Sequence, residues 1–244
     1  MPLEVFYLIL FFVAFLYAAV GHGGASGYLA LMALYGAAPE EMKPTALTLN
    51  LFVSLTSFIQ YYRGGHFKWK LFVPIAAASI PMAFFGGMVT VEDRLYKTVL
   101  GVLLLFPVIR FFFFKNVPDE ELKPHNTGVA LASGGVVGLL SGMIGIGGGI
   151  ILSPILLLLK WTNQKQTAAI SALFIFVNSI AGLMGQLTQG IVFSTNMVMY
   201  VVVAFAGGLL GAYFGSMKFN QNFLKYTLAT VLLIASYKLL FTTA

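Results

Sequence analysis

Gly142-Met143-Ile144-Gly145-Ile146-Gly147-Gly148-Gly149 lies inside a long apolar run, with Val136 to Leu140 before it and Ile150 to Leu159 after it. Glycine costs roughly 1 kcal/mol per residue in a helix interior relative to alanine, and it frees φ. Four glycines within five residues, at 145 and 147 to 149, therefore predict that the helix opens here. In lipid, opened backbone is tolerated only against protein or a watery cavity. Transporters place substrate sites in such settings, with helix N-termini aimed at an anion. A shorter copy, Gly21-His22-Gly23-Gly24, sits near the start of the chain. The protein reads as two halves built around these two breaks.

Composition sets the class. The 244 residues are 59% hydrophobic and only 9% charged, against about 45–50% and about 25% in soluble domains. The apolar runs are continuous, not the alternating segments of roughly ten residues that a barrel requires. The fold class expected is an all-α polytopic membrane protein. No Cys is present, which excludes disulfides and Cys-ligated metals. The net charge of +6 comes from Lys and Arg in short loops and does not point to nucleic acid. The start, Met1-Pro2-Leu3-Glu4, lacks the basic region of a signal peptide, so the first apolar run is expected to be kept as a helix.

Apolar segments run roughly over 3–20, 26–38, 43–62, 68–90 and 95–114, then over 127–143, 148–160, 165–187, 195–217 and 221–242. The second and seventh follow the breaks and are short, about 12 residues where spanning takes about 20. They are either re-entrant half-helices or complete tilted helices with an unwound end. The only long polar stretch, Lys115 to Pro124, divides the chain nearly in half. The organisation expected is an N-terminal transmembrane repeat (1–114), a cytoplasmic linker (115–126) and a C-terminal transmembrane repeat (127–244).

Internal matches support a duplication. Gly21 lies over Gly145 and Phe52-Val53-Ser54 over Phe176-Val177-Asn178, both at a shift of 124 (145 − 21 and 176 − 52). Ala83-Phe84-Phe85-Gly86 lies over Ala212-Tyr213-Phe214-Gly215 at a shift of 129, and Leu95…Thr98…Val102 over Leu224…Thr227…Val231 at the same shift. Loop charge gives the orientation. Arg63, Lys68 and Lys70 follow the third segment, whereas Leu187 to Thr195, the equivalent loop of the second half, carries no charge. With the first loop in the cytoplasm, only Lys43, Arg94, Lys97 and Lys238 fall outside. Five segments per half then give inverted repeats, with the glycine-broken helices near the midplane and both termini outside the cytoplasm.

Candidate residues follow. The breaks contribute Gly21, His22, Gly23, Gly24 and Ser26, and Gly145, Gly147, Gly148 and Gly149. Close helix packing through small-xxx-small spacing is the alternative use of such glycines. It is the use expected for Gly207…Gly211…Gly215, and Gly138…Gly142 fits the same spacing. A dinucleotide loop is excluded because Ile150 occupies the last position of G-x-G-x-x-G, and no Gly-Lys pair makes a Walker loop. Asn50, Ser54 and Ser57 share one helical face, as do Ser171 and Asn178. These polar side chains either bond between helices or contact substrate. Thr45, Thr48, Gln60 and Gln186 are weaker candidates. His22 either carries a proton or meets an anion, or stays neutral and bonds freed backbone. No apolar segment has an acid at its centre, where cation carriers and proton relays place one. The donors that remain suit a small anion. Catalysis, a metal site and a cofactor are not expected, since the three His are scattered and no acid pair is present.

Gly138-Leu139-Leu140-Ser141-Gly142-Met143-Ile144-Gly145-Ile146-Gly147-Gly148-Gly149, followed by Ser153-Pro154, resembles the glycine signature of the sulfite exporter TauE/SafE family. The echo at Val20-Gly21-His22-Gly23-Gly24 and the stretch from Ala168-Ala169-Ile170-Ser171 to Asn178 and Gly182 are similar to it as well. The resemblance covers essentially the whole chain. It implies a bacterial inner-membrane permease of two similar halves, moving small sulfur-containing anions such as sulfite or organosulfonates, usually outward. The first signature departs from the second, with Ala25 for the last glycine and His22 for the apolar residue. Three functions are open: an alternating-access carrier, an anion channel with a helix-end filter, and a membrane scaffold subunit that transports nothing. The partners expected are a small anionic substrate, the lipid bilayer and an unidentified coupling ion, with no nucleic acid; a homodimer is compatible with the chain.

Overall fold

The computed structural model describes residues 3–19, 21–113, 119–191 and 193–217, and single positions beyond. The expected last segment, 221–242, lies largely outside the described residues. Nine α-helices are described: α1 Leu3–Ala19, α2 Ala25–Leu34, α3 Pro39–Arg63, α4 Trp69–Gly87, α5 Asp93–Phe113, α6 Thr127–Ile144, α7 Gly149–Leu158, α8 Gln164–Leu187 and α9 Met197–Met217. A 3₁₀ turn covers Asp119–Glu121, and no strand occurs among the described residues. α4, α6, α8 and the part Met197–Phe214 of α9 are long and apolar enough to cross a membrane. Phe12, Phe85 and Val198 are exposed at 53%, 56% and 77%. Large apolar surface of this kind is stable only against lipid, so this is a multi-pass membrane protein.

Local chemistry starts and stops the helices. Pro39 opens α3 at its first turn, where the missing N–H is not needed. Asn126 caps α6 by accepting the Val129 N–H at 3.1 Å. Asn163 and Gln166 form a reciprocal capping box at the start of α8. α2 and α7 have only 10 residues each, about 15 Å of rise, or half the hydrocarbon thickness. α2 folds back on α1. A methyl group on Gly27 would stand 2.5 Å from Val13 Cγ1 and 2.6 Å from Tyr17 Cε2.

Glycines set the closest helix contacts. α6 presents Gly134, Gly138 and Gly142 to the carbonyls of Ile75, Ser79 and Ala83 on α4. α9 presents Gly207 and Gly211 to the carbonyls of Phe11 and Phe15 on α1. Each of these glycines touches backbone, so even one methyl group would push the helices apart. The side chain of Gly215, third in that series, lies outside the described positions. α3 and α8 pack against each other, and together they carry about half of the buried polar side chains among the described residues.

The linker is fastened to the second half. The Lys123 N–H donates to the Lys160 carbonyl at 2.8 Å, and Lys160 Nζ lies 2.6 Å from Glu121 Oε2. The Lys160 ammonium holds the Glu121 carboxyl below its ordinary pKa.

Candidate functional site

Both glycine stretches are breaks in the structure. Residues 21–24 are non-helical between α1 and α2, with positive φ at Gly21 (78°) and Gly24 (95°). Gly145, Gly147 and Gly148 separate α6 from α7 with φ of 82°, 71° and 76°. An L side chain rarely adopts these angles, so the glycines are required by backbone geometry as well as by space. Gly149 differs from the expectation for it: it already belongs to α7. Its hydrogen-only side chain is needed because a methyl group there would meet Ile175 Cγ1 at 2.5 Å.

The two breaks enter from opposite ends of α3 and meet at its middle. Gly21 lies against Tyr61 and Ala168, and Gly145 lies against Lys43. Tyr61 and Lys43 are 18 residues apart on α3 (61 − 43), about 27 Å of helix. Gly23 and Gly147 nevertheless touch the same two side chains. A methyl group at Gly23 would lie 2.7 Å from Asn50 Oδ1 and 2.8 Å from Ile175 Cγ2. One at Gly147 would lie 2.5 Å from Asn50 Nδ2 and 2.8 Å from Ile175 Cγ2.

Asn50 therefore joins the halves. Its Oδ1 accepts the Ala25 N–H at 3.0 Å and so caps α2 from another helix. Its Nδ2 donates to Ser179 Oγ on α8 at 3.4 Å. The N-cap residue of α7, Gly148, has no side chain with which to cap it. The position 124 residues after Asn50 is Phe174, a buried ring with Cε1 2.8 Å from where a Cβ on Gly148 would stand.

A second chain of bonds crosses the halves through His22, which is 3% exposed. Ser153 Oγ donates to the Gly149 carbonyl at 2.8 Å. The same Oγ lies 2.7 Å from Ser171 Oγ and 2.9 Å from His22 Nε2, so one hydroxyl joins α7, α8 and the first break.

The other expected site residues have their own partners. Ser54 donates to the Asn50 carbonyl of its own helix at 2.6 Å. Ser26 pairs with Tyr17 Oη at 2.5 Å and ties α2 to α1. Asn178 Nδ2 donates to the Phe174 carbonyl at 2.8 Å and to Ser79 Oγ on α4 at 3.1 Å, while its Oδ1 is buried without a partner. Sequence reasoning missed Ser79, Ser153 and Ser179. Only Ser153 carried a signal: a Ser four residues after Gly149 can bond back to its carbonyl. Among the described residues no Asp, Glu, Lys or Arg is buried, and His22 is the only buried side chain of that basic or acidic kind.

The comparisons agree with this architecture. A family model described as sulfite exporter TauE/SafE matches residues 6–239. A probable membrane transporter protein of Sinorhizobium fredii is 36% identical over 234 residues, covering 94% of this chain and 95% of that protein. Probable membrane transporter proteins of Methanocaldococcus jannaschii and Bacillus subtilis are 30% and 27% identical, covering 77% and 85% of this chain and 74% and 88% of their own lengths. No solved structure matches. With paired glycine breaks around one amide and a family match over nearly its full length, the chain belongs to the sulfite exporter TauE/SafE family of membrane transporters.

Proposed function

We propose that the protein exports a small sulfur-containing anion, such as sulfite or an organosulfonate, by alternating access between two inverted halves. The carrying observation is the convergence of two broken helices on Asn50 in a core that has no buried carboxylate among the described residues. Helix N-termini present positive charge and N–H groups, and nothing acidic competes with an anion for them.

The packing supports two related halves, and the loop charges their inversion. Exchanging the halves turns the α1–α9 contact into the α6–α4 contact, and each is made by glycines on one helix against carbonyls on the other. α3 against α8 maps onto itself. The anion is held between the breaks by backbone N–H groups, with Asn50, Ser54, Ser171, Asn178 and His22 around it. The Asn50, Ser54 and Asn178 side chains already donate to protein acceptors, so their part in binding is an exchange of bonds. The contact most easily exchanged is the longest, Asn50 Nδ2 to Ser179 Oγ at 3.4 Å. No ATP motif is present. An anion leaving a cell that is negative inside is favoured by about 2.3 kcal/mol per charge per 100 mV, which is sufficient for exit.

The test is flux. Purified protein in liposomes is expected to move labelled sulfite, and unlabelled sulfite or methanesulfonate on the opposite side is expected to accelerate it by counter-exchange. Flux equal to that of protein-free liposomes across a panel of small anions would overturn the proposal.

A further inference from the structure

A cavity of about 140 Å³ lies away from Asn50, between the start of α3, the end of α4 and the end of α8, so both halves line it. Its buried wall includes Gln186, 8% exposed, whose Nε2 has no hydrogen-bond partner. A buried amide donor of this kind costs stability until an acceptor reaches it. Lys43 also lines the cavity, with its Nζ 4.8 Å from the centroid of the Tyr96 ring. Glu40, Thr90 and Gln189 stand at the exposed mouth.

The cavity shares a wall with the second break. The Lys43 Cα is 3.1 Å from the position a Cβ would take on Gly145. Tyr96 Oη donates to the carbonyl of Ile144, the last residue of α6, at 2.9 Å. Lys43, which lines the cavity, is thereby packed through its backbone on the break, and its ammonium sits over the ring that bonds the end of α6. At the other end of α3, the first break meets the Tyr61 ring and Ala168 instead.

A guest must satisfy an amide donor and an ammonium in a small space. A cation is repelled by Lys43, and an apolar guest leaves Gln186 unpaired. A compact group with several acceptor oxygens and a negative charge meets both requirements. Glu40 at the mouth weighs against a second negative charge. We propose that this cavity is an anion site distinct from the breaks, holding one small, singly charged oxyanion between Lys43 and Gln186 beside Gly145. Its role as a waiting station on the transport path rests on the carrier reading above; its capacity to bind does not.

The chain has no Cys, so one introduced thiol reports alone. With Thr90→Cys at the mouth, methanesulfonate is expected to slow labelling by a charged thiosulfonate reagent several-fold. Added Lys43→Gln is expected to remove that protection and Lys43→Arg to keep it. Gln186→Met serves as a second variant that keeps side-chain length while removing the donor, and it is expected to weaken protection. Glu40→Gln is expected to strengthen protection and to admit sulfate. Liposome flux measured on the same proteins separates the two proposals. Protection without flux upholds this site and removes the carrier reading. Flux without protection, or protection unchanged in both Lys43→Gln and Gln186→Met, overturns this site and leaves the carrier reading standing. Absence of both overturns both.

Discussion

Asn50 bears on both breaks, so it concentrates what single residues can test. Asn50→Ala removes the acceptor of the Ala25 N–H and leaves a buried donor unpaired. A loss of about 1–3 kcal/mol is expected in detergent unfolding, with loss of flux. Gly147→Ala combines two faults, a positive φ of 71° and a methyl group 2.5 Å from Asn50 Nδ2. Gly36→Ala has only the first, at φ 79° with open space around it. Both should lower the melting temperature, Gly36→Ala by the strain alone, about 1–3 kcal/mol. Gly147→Ala should lower it further, and the difference measures the packing between the breaks. The need of Asn50 for partners was legible in the sequence, because a buried amide must find them. Its partner was not, since Ala25 precedes it by 25 residues and lies on another helix. The 124-residue repeat points from Asn50 to Phe174, a ring that cannot cap anything.

At the scale of the element, the bundle is held where glycine lets backbones touch. Gly138→Leu is expected to separate α6 from α4 and to lower folded yield and melting temperature sharply, because its Cβ would lie 2.6 Å from Ser79 Cα. Gly135, three residues earlier on the same helix, has its nearest neighbour at 3.8 Å. Gly135→Ala is expected to be neutral or to stabilise by up to about 1 kcal/mol through helix propensity. Circular dichroism melts of the two variants check the contrast. The spacing of Gly138 and Gly142 announced such a stripe in the sequence. The helix that receives it could not be named, because any apolar helix offers the same carbonyls. Among the described residues most segment boundaries were legible to within two or three residues; the exceptions are the end of α2 at Leu34 and the start of α3 at Pro39, where a turn and an acidic first turn lie between the apolar runs.

The fastened linker gives a pH prediction at the same scale. Glu121 has a lowered pKa because of Lys160. The pair therefore stabilises the fold above the ordinary carboxyl value of 4.5, and that contribution is lost as pH falls through the lowered value. Glu121→Gln is expected to melt slightly below the wild type at neutral pH and level with it in acid. The effect is small because the pair is exposed.

For the whole molecule, the proposed export makes the membrane potential the variable to test. A uniported monoanion is expected to reach a concentration ratio of roughly fifty-fold per 100 mV across sealed liposomes, with accumulation on the positive side. A potassium-diffusion potential with labelled sulfite measures this. A ratio that follows an imposed proton gradient and ignores voltage would instead show electroneutral coupling.

Asn50 has no twin. At the matching position the second half carries Phe174, so the amide that seals the start of α2 is absent at the start of α7. On the proposed alternating-access mechanism, two identical halves would rest evenly between their orientations, and this asymmetry is expected to bias the pair even at zero voltage. Half-saturating concentrations measured from the two faces should accordingly differ. Net movement still vanishes at equal concentrations, as thermodynamics demands. Replacing Phe174 with Asn is the single change that should draw the two half-saturation values together.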